Sequence, residues 1–321
     1  MENSKINNGG IKVFIGTSEI NRVEEAVLVN SIKEKIAWEP KIFFLNGDKC
    51  TIEGPDFFQT VNIPSDLTNQ YVTKFTAMRF TIPEICKYQG KALYIDSDQV
   101  VLSDLNQILQ GISDEFSFAA VSVNNAYSHP RFRRLVLDRI SSHRDLKNFF
   151  LASVILFNCE KCFFDVPSIS ESLKKGDFSY QDFIWLGPQF RKKFGLKVAN
   201  LNPEWNALDS LPEGAKIVHF TDLSMQPWKF SHHPLLKFWR KFFLKTVQDG
   251  GISRNTLLNQ RKHGALSWST LMIGLSLLEK KKVDLGFNNL FIAFYDFIFA
   301  FIIESFWKVK SMGIFLLRSI R

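Results

Sequence analysis

The chain has 321 residues, 45% of them hydrophobic, with ordinary glycine and proline content. That is enough for one large α/β domain with or without a small appendage, and it excludes an extensively disordered or fibrous protein. The formal charge of +8 is concentrated at the end, where residues 254–321 carry ten Lys or Arg against four Asp or Glu; the remainder mixes both signs and holds no nucleic-acid motif, so a nucleic-acid-binding main domain is excluded.

Residues 1–10 are polar and lack a basic leader followed by an apolar core, so no cleaved signal peptide is expected. Ile11 to Ile15 reads as a strand, closed by Gly16-Thr17-Ser18. Glu24 to Lys35 has helical spacing. Lys41 to Leu45 is a second strand stopped by Asn46-Gly47-Asp48, and Val61 to Pro64 offers a short third. Tyr71 to Phe80 has a helical pattern ending before Pro83. Lys91 to Ile95 is a compact apolar strand, followed by strands at Phe116 to Val123 and Ala152 to Phe157. Lys216 to Phe220 is a late short strand, and His232 to Thr246 a helix. The alternation implies an α/β fold with a mostly parallel sheet covered on both faces. Ligands in such sheets bind outside the carboxyl ends of the strands.

Asp96-Ser97-Asp98 lies at such an end. Two carboxylates around one small residue can approach a single hard cation, and oxygen ligands suit Mg²⁺ or Mn²⁺. A polar turn after a buried strand explains the same residues. The apolar Val100-Val101-Leu102 on the far side wedges the turn between two buried segments, where a site belongs.

The run Leu93-Tyr94-Ile95-Asp96-Ser97-Asp98-Gln99-Val100-Val101-Leu102-Ser103-Asp104-Leu105 resembles the signature of glycosyltransferase family 8, the glycogenin and lipooligosaccharide galactosyltransferase family. Further segments follow in family order. Ile11 to Ile15 resembles the uridine-binding strand, and Tyr71 to Arg79 the nucleotide-contacting helix. Ala152 to Asn158 resembles the Ala-Gly-Val strand that ends in Asn, and Tyr180-Gln181-Asp182 the Asp-Gln-Asp element. Val218-His219-Phe220 with Gln226-Pro227-Trp228 resembles the closing His and Lys-Pro-Trp segment. Trp205-Asn206 echoes an acceptor-side element. The resemblance covers residues 11–240. It implies a GT-A fold, a UDP-sugar donor, Mn²⁺ (or Mg²⁺) as cofactor, retention of anomeric configuration, and a glycan, lipid-linked or small-molecule acceptor.

It also implies roles. Asp96, Asp98 and His219 would hold the metal, a neutral imidazole being a good third ligand beside carboxylates; a partly buried His with a backbone hydrogen bond is the alternative. Thr17, Tyr71, Lys74, Arg79, Ser97 and Lys229 would contact the nucleotide and diphosphate, with Lys229 substituting for the family Lys whose place is taken by Gln226. Gln181 and Asp182 would serve the donor sugar or acceptor, unless they form the solvated face of a helix N-terminus. Leu151, Ser153 and Tyr180 depart from the family's Asn, Gly and first acid, which leaves the identity of the sugar open.

Residues 1–250 are expected to form the transferase domain and 251–321 a basic, aromatic-rich helical tail. The apolar runs Gly264 to Leu278 and Leu290 to Ile303 are short for spanning helices, and Asp296 interrupts the second. They suit helices packed on the domain, a homo-oligomer contact, or an anionic membrane surface reached through the tail. Four cysteines in a chain this long are no disulfide scaffold and suit a reduced, cytoplasmic setting. Cys159-Glu160-Lys161-Cys162 has no further pair of zinc ligands at usual spacing. A pyrophosphorylase-like enzyme would need an early glycine-rich phosphate loop, for which Gly16-Thr17-Ser18 is too thin. A catalytically inactive sugar-nucleotide-binding or scaffolding relative fits the departures.

Overall fold

The computed structural model describes residues 11–68, 73, 75–110, 112–128 and 148–279. The chain divides into two compact units, Met1–His219 and Phe220–Arg321. In the first, β1 (Lys12–Thr17), β2 (Ile42–Asn46), β3 (Thr51–Gly54), β4 (Phe57–Thr60), β5 (Lys91–Asp96), β7 (Phe118–Ala120), β8 (Val154–Asn158) and β9 (Val198–Asn200) form an eight-stranded sheet. Their order is β4-β3-β2-β1-β5-β8-β7-β9. A separate three-stranded sheet has the order β10 (Ala207–Leu208), β11 (Ile217–His219), β6 (Gln99–Val101). Among the described residues, the first unit's helices are α1 (Arg22–Lys35), α2 (Phe75–Met78), α3 (Ile82–Ile85), α4 (Val166–Lys174), α5 (Tyr180–Ile184) and α6 (Pro188–Lys193).

The central strands bury both faces, which explains their unbroken apolar runs. Successive side chains point to opposite sides. Phe14, Tyr94, Ile155 and Phe157 enter one core cluster, while Val13, Ile15, Leu93, Ile95, Val154 and Leu156 enter the other. The same period places Tyr94 and Asp96 on one face. β1 is parallel to β2 and β5, and its register sets Gly16 beside Asp96 at the carboxyl ends.

The sheet is less parallel than the element order suggests. Three pairings are parallel, β1 with β2, β1 with β5 and β7 with β9. Four are antiparallel: β2 with β3, β3 with β4, β5 with β8 and β7 with β8. The hairpin β3–β4 replaces the strand expected at Val61 to Pro64. Its turn depends on Asp56 at φ +55, a left-handed conformation that Asp tolerates, and the largely exposed β4 lacks an apolar alternation to announce it. The helix expected over Tyr71 to Phe80 is, in the described residues, the short α2 followed by a 3-10 turn Arg79–Thr81 and then α3. Pro83 lies in the first turn of α3, where a missing N–H costs nothing. The strand expected at Phe116 to Val123 shortens to β7.

The second unit holds α7 (Leu236–Gln248), α8 (Arg254–Lys262) and α9 (Trp268–Leu278). α7 starts later than the expected His232. Ser253 caps α8, accepting from the Thr256 N–H at 3.1 Å, and Leu257 gives it a buried anchor. At Gly274 a Cβ would stand 2.7 Å from a Leu257 methyl and 3.1 Å from the Phe243 ring, so glycine allows the three helices to approach closely. The composition change near residue 250 falls between α7 and α8. Among the described residues no helix is long and apolar enough to cross a membrane. The run Leu290 to Ile303 lies outside the described residues.

Candidate metal centre

Asp96 ends β5, and Ser97 and Asp98 form the turn into β6. The turn is tied from both sides: the Asp96 N–H donates to Ser153 O and the Ser97 N–H to Gly16 O, each at 3.0 Å. His219 arrives from 121 residues further along through the antiparallel β6–β11 ladder, whose register sets it opposite Gln99. One suitable ligand atom from each of Asp96, Asp98 and His219 lies within 4.8 Å of the others. His219 Nε2 is 3.0 Å from Asp98 Oδ1. With metal–ligand bonds of about 2.1 Å, neighbouring corners of an octahedron lie about 3.0 Å apart and opposite corners about 4.2 Å. The Asp98–His219 spacing is therefore that of neighbouring ligands.

Asp98 Oδ1 is buried and, despite its ion-pair distance to His219, receives no aligned hydrogen bond. A buried carboxylate oxygen without a donor is costly, and a cation relieves that cost. Burial, then the neighbouring Asp98 charge, pushes the Asp96 carboxyl up to about 6. For His219 burial works to lower the pKa, but the attraction of Asp98, Asp96 and Asp209 outweighs it and the net shift is upward. Asp96 and the imidazole thus hold protons more tightly here than in isolation, as expected where acidic groups crowd together. The residues present fit a hard divalent cation, with one nitrogen and carboxylate oxygens as donors.

Beneath the turn, the buried Tyr94 hydroxyl donates to Asp96 Oδ1. Burial and the adjacent Asp96 charge raise the phenol pKa well above its usual value, so it stays a donor. Gly16 is required here, since a Cβ at that position would stand 2.2 Å from the Tyr94 hydroxyl. The buried Arg79 guanidinium lies 5.4 Å from the Tyr94 ring centroid and donates to the Ala152 carbonyl, with its Nε unpartnered. Its charge counteracts the rise at Asp96.

Behind His219 stands a polar relay. Asn206 Oδ1 is 3.2 Å from His219 Nδ1, and Asn206 Nδ2 donates to Ser153 Oγ at 2.9 Å. The Ser153 carbonyl accepts from Gln99 Nε2 at 3.0 Å as well as from Asp96.

The structure therefore brings together Asp96, Ser97, Asp98, His219 and Arg79. Other candidates stand differently. Thr17 is fully buried beside Glu25 at the end of β1. Asp182 is buried: Oδ2 accepts from the Ser179 hydroxyl at 2.7 Å and Oδ1 from the Gln189 N–H at 3.1 Å. Oδ2 thus closes the N-terminal cap of α5, and Oδ1 fastens α5 to α6. Gln181 lies partly exposed in the first turn of α5. Lys229 belongs to the second unit, where its N–H bonds Gln226 O at 2.9 Å. Tyr71 and Lys74 lie outside the described residues. Cys86, Cys159 and Cys162 are buried free thiols.

Sequence reasoning missed Tyr94 and Ser153 as parts of the site and placed Asn206 only by resemblance. The Tyr94 contact was readable, because residues i and i+2 of a strand share a face. No signal links Asn206 or Ser153 to His219 before the strands are paired.

No protein-family model and no curated protein sequence matches the chain. Among solved structures, it is similar to the galactosyltransferase LgtC in complex with donor and acceptor sugar analogues, with TM-score 0.51, 15% identity, and coverage of 73% of this chain and 95% of that one. An active-site mutant of LgtC gives 0.50 and 14%, covering 72% and 95%. The bifunctional glycosyltransferase WbbM gives 0.47 and 17%, covering 76% of this chain but only 50% of that one, so this chain spans about half the length of WbbM. The LgtC likenesses show the fold, a GT-A-like mixed sheet flanked by helices.

Proposed function

We propose that the chain is a metal-dependent retaining glycosyltransferase of the family 8 type, moving a hexose from a UDP-sugar to a glycan, lipid-linked or small-molecule acceptor. The observation that supports it best is the meeting of Asp96, Asp98 and His219 at the carboxyl end of β5, beside β1, in a GT-A-like fold. Ligands of open α/β sheets bind at that end. Asp96, Asp98 and His219 would hold a Mn²⁺ or Mg²⁺ ion, which would supply neutralisation of the charge on a departing diphosphate. Asp96 and Asp98, so engaged, would be poor bases. Ser97, Arg79, Tyr71 and Lys74 serve the nucleotide and its phosphates. Gln181 faces the donor sugar and stabilises positive charge at the anomeric carbon. An amide cannot form a stable glycosyl ester, so attack comes from the side of the leaving group, with retention. Asp182, with both oxygens engaged, holds the α5–α6 turn that carries Gln181.

The test is a panel of UDP-sugars with Mn²⁺, read by release of UDP and by NMR of the glycosidic bond formed from an α-linked donor. An α-linked product supports the reading, and a β-linked product overturns both mechanism and family type. The engagement of Asp182 favours a second reading, an inactive sugar-nucleotide-binding relative, for which UDP binds but no sugar is released. We further propose that residues 1–250 act as the transferase domain and that the basic tail, 251–321, touches the anionic inner face of a membrane. Sedimentation with anionic vesicles, lost on truncation after Gly250, tests the tail.

A further inference from the structure

We propose that Ser153 and Asn206 are positioning residues of the cation site, acting together to fix the ring orientation and tautomer of His219 and the place of the acidic turn. The inference rests on the cation reading above. The ligands come from two separate elements, the β5–β6 turn and the end of β11. The β6–β11 ladder sets His219 opposite Gln99, and the contacts behind the two elements orient the imidazole and the acidic turn within that pairing. Ser153 makes contacts toward both. Its carbonyl accepts from the Asp96 N–H and from Gln99 Nε2, each at 3.0 Å, which fixes both ends of the acidic turn. Its hydroxyl accepts from Asn206 Nδ2 at 2.9 Å, and the other end of that amide meets His219 Nδ1 at 3.2 Å. Asn206 is wholly buried and Ser153 nearly so, so neither bond competes with water.

The direction of the relay follows from the ligand chemistry. A His that offers Nε2 to a cation carries its proton on Nδ1 and must donate it. The partner must then be an acceptor, which selects Asn206 Oδ1 for His219 and leaves Nδ2 for the Ser153 hydroxyl. A residue without a side-chain oxygen at 153 would leave that buried N–H unsatisfied and the amide free to turn over. Ser153 occupies the position where the resembled family has glycine, so this relay is a feature of this chain.

The test uses the full chain and Mn²⁺ alone, titrated with free Mn²⁺ followed by EPR, alongside the His219 tautomer from ¹⁵N NMR of labelled imidazoles. Asn206→Leu, nearly isosteric but without an acceptor, should weaken Mn²⁺ binding about 10- to 100-fold and let His219 populate the Nε2–H form. Asn206→Asp, which keeps an acceptor, should restore the Nδ1–H form. Ser153→Ala removes one oxygen and perturbs folding least. It should weaken Mn²⁺ binding by about threefold or more, in the same direction as the larger effect expected of Asn206→Leu, and Ser153→Thr should rescue it. Unchanged affinity and tautomer in Ser153→Ala overturn the proposal even if Asn206→Leu fails to fold. A wild-type chain with a fixed Nδ1–H tautomer and no Mn²⁺ binding refutes the cation reading and with it the role assigned to the relay.

Discussion

The acidic turn after β5 and the start of α5 carry similar residues and lead to opposite conclusions. At Asp182 a buried carboxylate has a donor on each oxygen, a hydroxyl and a backbone N–H, and ties two helices together. At Asp96 and Asp98 two partly buried carboxylates share a small space with a buried imidazole, and one oxygen has no hydrogen-bond donor. A satisfied acid is part of the fold. An acid whose proton affinity is raised by burial and by a neighbouring carboxylate is incomplete until something positive arrives.

That contrast is sharpened first by substitution. Asp98→Ala should reduce Mn²⁺ affinity and turnover by about 100-fold or more, a direct ligand being worth at least as much as its supporting groups, while calorimetry finds the metal-free melting temperature unchanged or higher. Asp182→Ala should do the reverse, costing about 2 kcal/mol of stability in denaturant titration because it strands a hydroxyl and a backbone N–H, with Mn²⁺ affinity preserved. If Asp182→Ala leaves stability intact and abolishes only transfer, the division of roles is wrong.

The two regions were not equally legible in sequence. The strand-end position of Asp96 and Asp98 was readable from an apolar run with a polar stop. Asp182 reads as a site residue by resemblance, while one of its two partners, the Gln189 N–H, becomes a neighbour only when the chain turns through Leu186, at φ +49, and Gly187. The β6–β11 pairing, which delivers His219, spans three-residue strands too short to show a period. The β3–β4 hairpin was missed for the same reason, since short or exposed strands carry little alternation, whereas β5 and β8 are legible as buried strands and only the direction of their pairing is not.

Proton linkage gives a smaller effect of fixed sign. The Asp96 pKa is raised in the folded chain to about 6, from an unfolded value of 3.8, so the folded state binds more protons between these values and metal-free stability falls as pH rises through that window. His219, also raised, adds stability that is present below its unfolded value of 6.5 and lost as pH climbs through the folded one. A cation needs both groups deprotonated, so Asp96 alone should raise Mn²⁺ affinity by about tenfold from pH 5 to 7 and His219 adds a further rise, the opposite trend to metal-free stability. Parallel trends in calorimetry and Mn²⁺ titration would contradict this picture. Smallest of all, Asp96→Asn should relieve the crowding of charge and raise metal-free stability by about 1 kcal/mol, at the cost of metal binding; a lower melting temperature would show that Asp96 is there for the fold.

The most direct test of the central claim is pulsed EPR of Mn²⁺ bound to the full chain. If Asp96, Asp98 and His219 hold the ion, the spectrum contains the ¹⁴N coupling of one directly coordinated imidazole, and that coupling disappears in His219→Ala. Bound Mn²⁺ without such a coupling, or one that survives His219→Ala, would place the ion elsewhere and contradict the account.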